Sequence, residues 1–257
     1  MGGNDIHQIP FELCAETLGA AVAAQRGGAS RVELCVELEI GGVTPPEALV
    51  REVLGAVTFP VNVLIRPRGG DFVYSDAEFA QLQREIAWVK AAGAAGVALG
   101  VLQADGRVDV PRTRELVKLA RPMAVTFHRA IDETPDISEA LEAVIAAGAD
   151  CVLTSGGAPD VLTGADQLAA LVRQARGRIE IMAGGGLKLD TLPELVERTG
   201  VGWVHGSLTR REPANTPSRN AELGGDSAAS LEASLEANLE ADVRRAVSML
   251  QATARAF

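Results

Sequence analysis

The chain has 257 residues, with 24 basic and 34 acidic side chains and a formal net charge of −10. Its length suits a single α/β barrel of about 250 residues, and its 47% apolar content supplies a sizeable core. The acidic balance excludes a generic nucleic-acid binder, which needs a basic face, and no apolar run approaches the roughly 18 residues of a membrane span.

Residues 1–10 read as an N-terminal tail without the apolar stretch of a signal peptide. Cys14, Cys35 and Cys151 are too few for a disulfide scaffold, so they read as reduced thiols of a cytoplasmic protein. From residue 11 onward a phrase recurs: a small-residue helix end, a Gly, then a short apolar strand. It stands at 27–34, 91–99 and 146–153, and more loosely at 199–204. This is the punctuation of a βα repeat.

Eight strands are predicted, at Phe11–Cys14, Arg31–Val36, Val61–Arg66, Gly96–Leu102, Ala124–His128, Cys151–Ser155, Ile179–Ala183 and Gly202–His205. Between them, Thr44–Glu47 carries an N-cap and early prolines, Ser75–Glu78 is a capping-box pattern, and a helix spans Ile137–Ala147. The alternation predicts an α/β fold, a single (β/α)8 TIM barrel over residues 11–257, with a doubly wound open sheet as the competitor. Residues 212–230, with Pro213, Pro217, Gly224 and Gly225, read as a mobile connector inserted before the last helix. That helix carries Leu231, Leu235, Leu239, Val243, Val247 and Leu250 as one apolar stripe, with Glu232, Glu236 and Glu240 on a neighbouring face.

Period-two alternation sends Glu12, Cys14, Glu33, Cys35, Asn62, Leu64, Arg66, Thr126, His128, Glu180, Met182, Trp203 and His205 into the barrel. Charges of both signs are costly there unless they pair or form a site. Barrel sites lie at the C-terminal ends of strands, where Cys14, Cys35, Arg66, His128, Ser155 and His205 fall.

Cys14 and Cys35 end adjacent strands, ~4.8 Å apart, and are candidate ligands for a soft ion such as Cu(I); buried cysteines packing as small hydrophobes are the alternative. In the segment Ile65–Asp76, Arg66 and Arg68 are candidates for an anionic substrate group, with Asp71 beside them. An Arg–Glu network that only fixes the loop is the alternative there. His128, with Glu12 and Glu33, is a candidate for proton transfer, and Arg129 and Asp132 follow it. Together with Glu12, Glu33 and His205, His128 also suits a divalent metal. Ser155, Gly156 and Gly185 lie in small-residue loops that present backbone N–H groups to phosphate. The only lysines are Lys90, Lys118 and Lys188. None is placed on a strand end, which argues against a Schiff-base aldolase.

Taken together, these segments closely resemble the CutC family, often called copper homeostasis proteins. The resemblance rests on Glu12–Cys14, Gly28–Cys35, Gly41–Pro45, Ile65–Ser75, Gly100–Leu102, Asp105–Asp109, Val125–Ala130, Leu153–Gly156, Gly184–Gly186 and His205–Ser207. It implies a (β/α)8 barrel, a cytoplasmic location and a role in copper handling, with Cu(I) on Cys14 and Cys35. Two departures stand out. Ala15 follows Cys14 where some members have a second cysteine, and Ile131 stands where the family pattern has Phe. No settled catalytic activity comes with the family, so an enzyme acting on a small anionic or sugar-like substrate at the barrel mouth is the alternative. In that reading His205 joins Arg66, Arg68, Asp71, Arg129, Ser155, Gly156 and Gly185 around the substrate. The partner is then a copper ion or a small molecule, with no nucleic acid and no membrane; a homo-oligomer stays open.

Overall fold

A computed structural model describes residues 8–208 and 228–254. Eight parallel strands form a closed barrel in sequence order: β1 (Phe11–Ala15), β2 (Arg31–Leu34), β3 (Val61–Leu64), β4 (Gly96–Leu99), β5 (Ala124–Phe127), β6 (Cys151–Thr154), β7 (Glu180–Gly184) and β8 (Trp203–Gly206). β8 pairs back onto β1 with Glu12 opposite His205, so the open-sheet alternative is excluded. Several strands stop short of their predicted ends. Cys35, Arg66, His128 and Ser155 are the first residues past the strand or nearly so, where the backbone turns into a loop.

Each strand is short and its outer face is apolar. Phe11, Leu13, Val32, Leu34, Val63, Leu99, Val125, Phe127 and Val204 are buried beneath a ring of helices. The ring consists of α1 (Leu18–Gly27), α2 (Glu47–Ala56), α3 (Asp76–Ala92), α4 (Val110–Ala120), α5 (Ile137–Ala147), α6 (Ala165–Ala175), α7 (Leu192–Thr199) and α8 (Ala228–Ala254). The predicted capping box is present: the Ser75 hydroxyl accepts from Glu78 N–H, and the Glu78 carboxylate accepts from Ser75 N–H. α5 has the predicted bounds.

α8 closes the ring between α7 and α1. The contact depends on Gly27, where an added Cβ would lie 2.6 Å from Val243 Cβ and 2.9 Å from the Glu240 carbonyl oxygen. Of the predicted stripe, Val243 and Leu250 are buried, and Leu239 and Val247 are half-buried. Leu235 is 61% exposed. Residues 233–238 of α8 are exposed alike. The side chains of Leu231 and Glu232 lie outside the described residues, as do residues 1–7 of the expected tail and 212–227 of the expected connector. Residues 228–230 are already helical. Among the described residues no helix is long and apolar enough to cross a membrane.

The inward alternation holds with one correction. Glu180 was expected inside the barrel, but it is the first residue of β7 and is exposed. Period two sorts faces along a strand; it does not bury a side chain at the rim.

Candidate functional site

The site is built in layers. The deepest is centred on Glu12, which is 1% exposed. Its Oε1 lies 2.8 Å from His205 Nδ1. Its Oε2 accepts from Arg31 Nε and, at 3.2 Å, from Asn62 Nδ2. Burial alone would push the Glu12 carboxyl up, but the His205 hydrogen bond and the Arg31 guanidinium outweigh it and hold it below the usual range. Burial would pull His205 down, yet Glu12 and Glu33 hold it above the ordinary histidine value. Arg31 itself stacks over Trp203 at 3.9 Å. Arg31 is a site residue that is not among the sequence candidates. Its signal was its place two residues before Glu33, on the same face of β2.

Above this lies the thiol layer. Cys14 is paired with Glu33 in the β1–β2 register, and its Sγ lies 3.2 Å from Cys35 Sγ and 3.9 Å from Glu33 Oε1. The two sulfurs sit among Leu64, Ala98 and Leu38. The hydrogen bond to Cys35, then burial, pushes the Cys14 thiol well up. Burial pushes the Glu33 carboxyl up to about 7, against the pull of His205. One ligand atom each from Cys14, Glu33 and His205 lies within 4.8 Å of the others, and all three residues are buried. Cys151 is elsewhere, against Leu153 and Met182, and burial pushes its thiol up to about 12.

The loops form the rim. Arg66 donates to the carbonyls of Ile40 (3.1 Å), Gly42 (3.0 Å) and Gly70 (2.7 Å), lacing the loops after β2 and β3 together. Arg68 is committed to Glu78 (2.5 Å), Asp71 (2.9 Å) and the Val73 carbonyl (2.9 Å). Phe72 lies between Arg66 and His128, 4.8 Å from the guanidinium and 5.0 Å from the imidazole centroid. His128 Nδ1 accepts from Ala130 N–H at 3.2 Å, which leaves the ring proton on Nε2. Burial, then Arg66, pushes His128 down to about 3, so the ring is neutral at ordinary pH.

On the opposite side, Asp132 accepts from Thr154 Oγ1 (2.5 Å), Ser155 N–H and Gly157 N–H. It also takes Arg129 Nε at 2.8 Å, and Arg129 reaches Ser155 Oγ at 3.1 Å. The guanidinium lies over Gly185, where a Cβ would meet Arg129 Cζ at 2.9 Å.

These layers enclose a cavity of about 1150 Å³ at the C-terminal ends of the strands. Cys14, Glu33, Cys35, Arg66, Asp71, His128, Arg129, Gly185 and His205 line it. A family model described as the CutC family matches residues 9–210. The chain belongs to the CutC family.

CutC relatives match along most of their length. The chain is 43% identical to a CutC family protein of Mesorhizobium japonicum over 83% of each chain. It is 39% identical to one of Porphyromonas gingivalis, covering 95% of this chain and 98% of that one. A solved structure from Streptococcus agalactiae, described as a candidate copper homeostasis protein CutC, is 32% identical with a TM-score of 0.73 and covers 77% of this chain and 98% of its own. An aldolase structure, QR15, at 18% identity and a TM-score of 0.58, shares the fold alone.

Four residues singled out in the sequence do not line the CutC cavity: Glu12, Arg68, Ser155 and Gly156. Glu12 lies beneath it, Arg68 ties its loop to α3 through Glu78, Ser155 donates to Asp132, and Gly156 N–H donates to Thr154 Oγ1. Gln103, Lys188 and Ser207 line the cavity without having been singled out for it. Lys188 had been placed away from the strand ends. It is an exposed residue on the loop after β7, and that loop bends it back to the mouth. Its position directly after the glycine run and Leu187 was the available signal.

Proposed function

We propose that the barrel mouth binds Cu(I) through Cys14 and Cys35, and that the protein handles copper in the cytoplasm. The observation that carries this reading is the 3.2 Å separation of the two buried sulfurs. A pair of soft donors among apolar neighbours selects Cu(I) over hard cations. Both thiols line an open cavity, which gives the ion a way in and out. All three cysteines are free, as a reducing compartment requires. Titration of the reduced protein with Cu(I) against a competing chelator tests the reading. Tight binding is expected in the wild type and its loss in Cys14→Ser/Cys35→Ser; equal binding in the double variant would overturn it.

A second reading is favoured by the size of the cavity, about 1150 Å³, which is the scale of a small-molecule site rather than of one ion. In this reading the barrel is an enzyme for a small anionic or sugar-like substrate. Arg129 and Lys188 attract the anion, and neutral His128 donates a hydrogen bond to it. Screening small anions by thermal shift is the test, with shifts expected to shrink in Arg129→Ala and His128→Ala. Identical shifts in the variants, or no ligand at all, would count against it.

A further inference from the structure

We propose that Cys14, Glu33 and His205 form a binding site for a divalent cation of zinc-like character, with Glu12 orienting the histidine. The inference does not depend on the Cu(I) reading: it shares Cys14 with it but takes Glu33 and His205 in place of Cys35. Its basis is the convergence of one sulfur, one carboxylate oxygen and one ring nitrogen within 4.8 Å of one another. Tetrahedral zinc with bonds of about 2.0–2.3 Å places ligand atoms roughly 3.3–3.8 Å apart, so the three side chains need to close in by at most about 1 Å around the ion. Mixed sulfur, nitrogen and oxygen donors suit a borderline ion, harder than Cu(I) and softer than magnesium.

The surroundings of His205 are those of a metal ligand. Its Nδ1 lies 2.8 Å from Glu12 Oε1, which leaves Nε2 as the nitrogen available to a cation. A histidine that gives one ring N–H to a carboxylate is fixed in tautomer and ring plane, and its second nitrogen becomes a better donor. Glu12 is in turn held by Arg31 and Asn62, so the orienting group is itself fixed. Of the expected ligands Glu12, Glu33, His128 and His205, Glu12 has its oxygens occupied by those partners and His128 is not in the converging cluster, whereas Cys14 is. Three protein ligands leave a fourth position, and all three line the cavity, so water or an oxygen of a small anion can complete the shell.

Cobalt(II) substitution in the reduced full-length protein tests this, with zinc affinity measured by chelator competition. Wild type should show a thiolate-to-cobalt charge-transfer band and the intense visible bands of a tetrahedral ion. Glu33→Gln and His205→Asn should each weaken zinc binding at least tenfold while leaving Cu(I) binding in place. Cys35→Ser should keep the cobalt spectrum and zinc affinity within about threefold. Glu33→Gln is nearly isosteric and serves if His205→Asn fails to fold. A wild type that binds Cu(I) but gives no cobalt–thiolate band overturns this inference alone. The cobalt band without Cu(I) binding supports it and overturns the copper reading alone. Zinc affinity unchanged in Glu33→Gln, or lost in Cys35→Ser, also overturns it.

Discussion

Glu12 and His205 join the first strand of the barrel to the last, 2.8 Å apart and opposite each other in the β1–β8 register. The closing seam of the barrel is thus fastened by a buried side-chain hydrogen bond as well as by backbone hydrogen bonds. Both partners are buried, and the Arg31 guanidinium pairs with the same carboxylate. Replacing Glu12 by Gln leaves the largely buried Arg31 guanidinium without its anion. Breaking a buried pair from one side costs about 3–5 kcal/mol. Urea unfolding of Glu12→Gln should show a loss of that order, and a loss below about 1 kcal/mol would mean that the network contributes little.

His128 should make the fold sensitive to acid. The unfolded ring protonates near its ordinary value of 6.5, whereas the folded ring does so only near 3. Between those values the unfolded chain takes up a proton that the native state refuses. The contribution of the neutral ring is therefore present above pH 6.5 and is lost as pH falls toward 3. By pH 5 the loss is about 2 kcal/mol. Unfolding free energies at pH 7 and pH 5 should show wild type losing about that much more than His128→Asn. Parallel losses in the two proteins would contradict it.

Two glycines should respond oppositely to the same change. Gly27→Ala places a methyl group against the Glu240 carbonyl and Val243, where the α8 backbone must move. Overpacking of this kind costs about 1–3 kcal/mol. Gly55, in α2, has open space at the same point, and Gly55→Ala should stabilise by about 0.5–1 kcal/mol. Thermal unfolding of both variants against wild type is the measurement. A stable Gly27→Ala protein would remove the close α1–α8 contact.

The two rim arginines should also separate. A lysine at position 66 cannot reach three carbonyls on two loops with one planar fork. Arg66→Lys should speed hydrogen exchange in the loops after β2 and β3 and cost about 1–2 kcal/mol. Arg68 is partly exposed and ties its own loop to the exposed first turn of α3, so Arg68→Lys should cost less than about 1 kcal/mol. Equal effects would show that the loops are not laced through Arg66.

Most of the frame was legible because it depends on local patterns. Alternating residues such as Val32–Leu34 and Val125–Phe127 report which face of a strand is covered, and Ser75 with Glu78 reports where α3 begins. The inward chemistry of Glu12, Cys14, Glu33 and His205 followed from the same rule. What escaped was set by groups that leave no trace in side-chain identity. Arg66 looked free for an anion because its partners are backbone carbonyls. Arg68 looked like its equal, since spacing does not reveal that Glu78 and Asp71 would claim it. Arg31 lay at a strand start, away from the end where chemistry was sought. Lys188 lay on a loop whose return path no periodicity describes.

The short strands have a consequence for how the cavity tolerates change. Cys35 and His128 lie just past β2 and β5, yet each keeps one backbone tie to the neighbouring strand, Cys35 N–H to Ala15 O at 3.0 Å and His128 N–H to Leu99 O at 2.9 Å. Their positions are inherited from the barrel, whereas Asp71, Gln103 and Lys188 depend on the loops that carry them. Exchanging those loops for others of different length should alter what enters the mouth and leave its floor as it is. The chain thus separates a fixed reagent set from an interchangeable doorway at a boundary one residue wide.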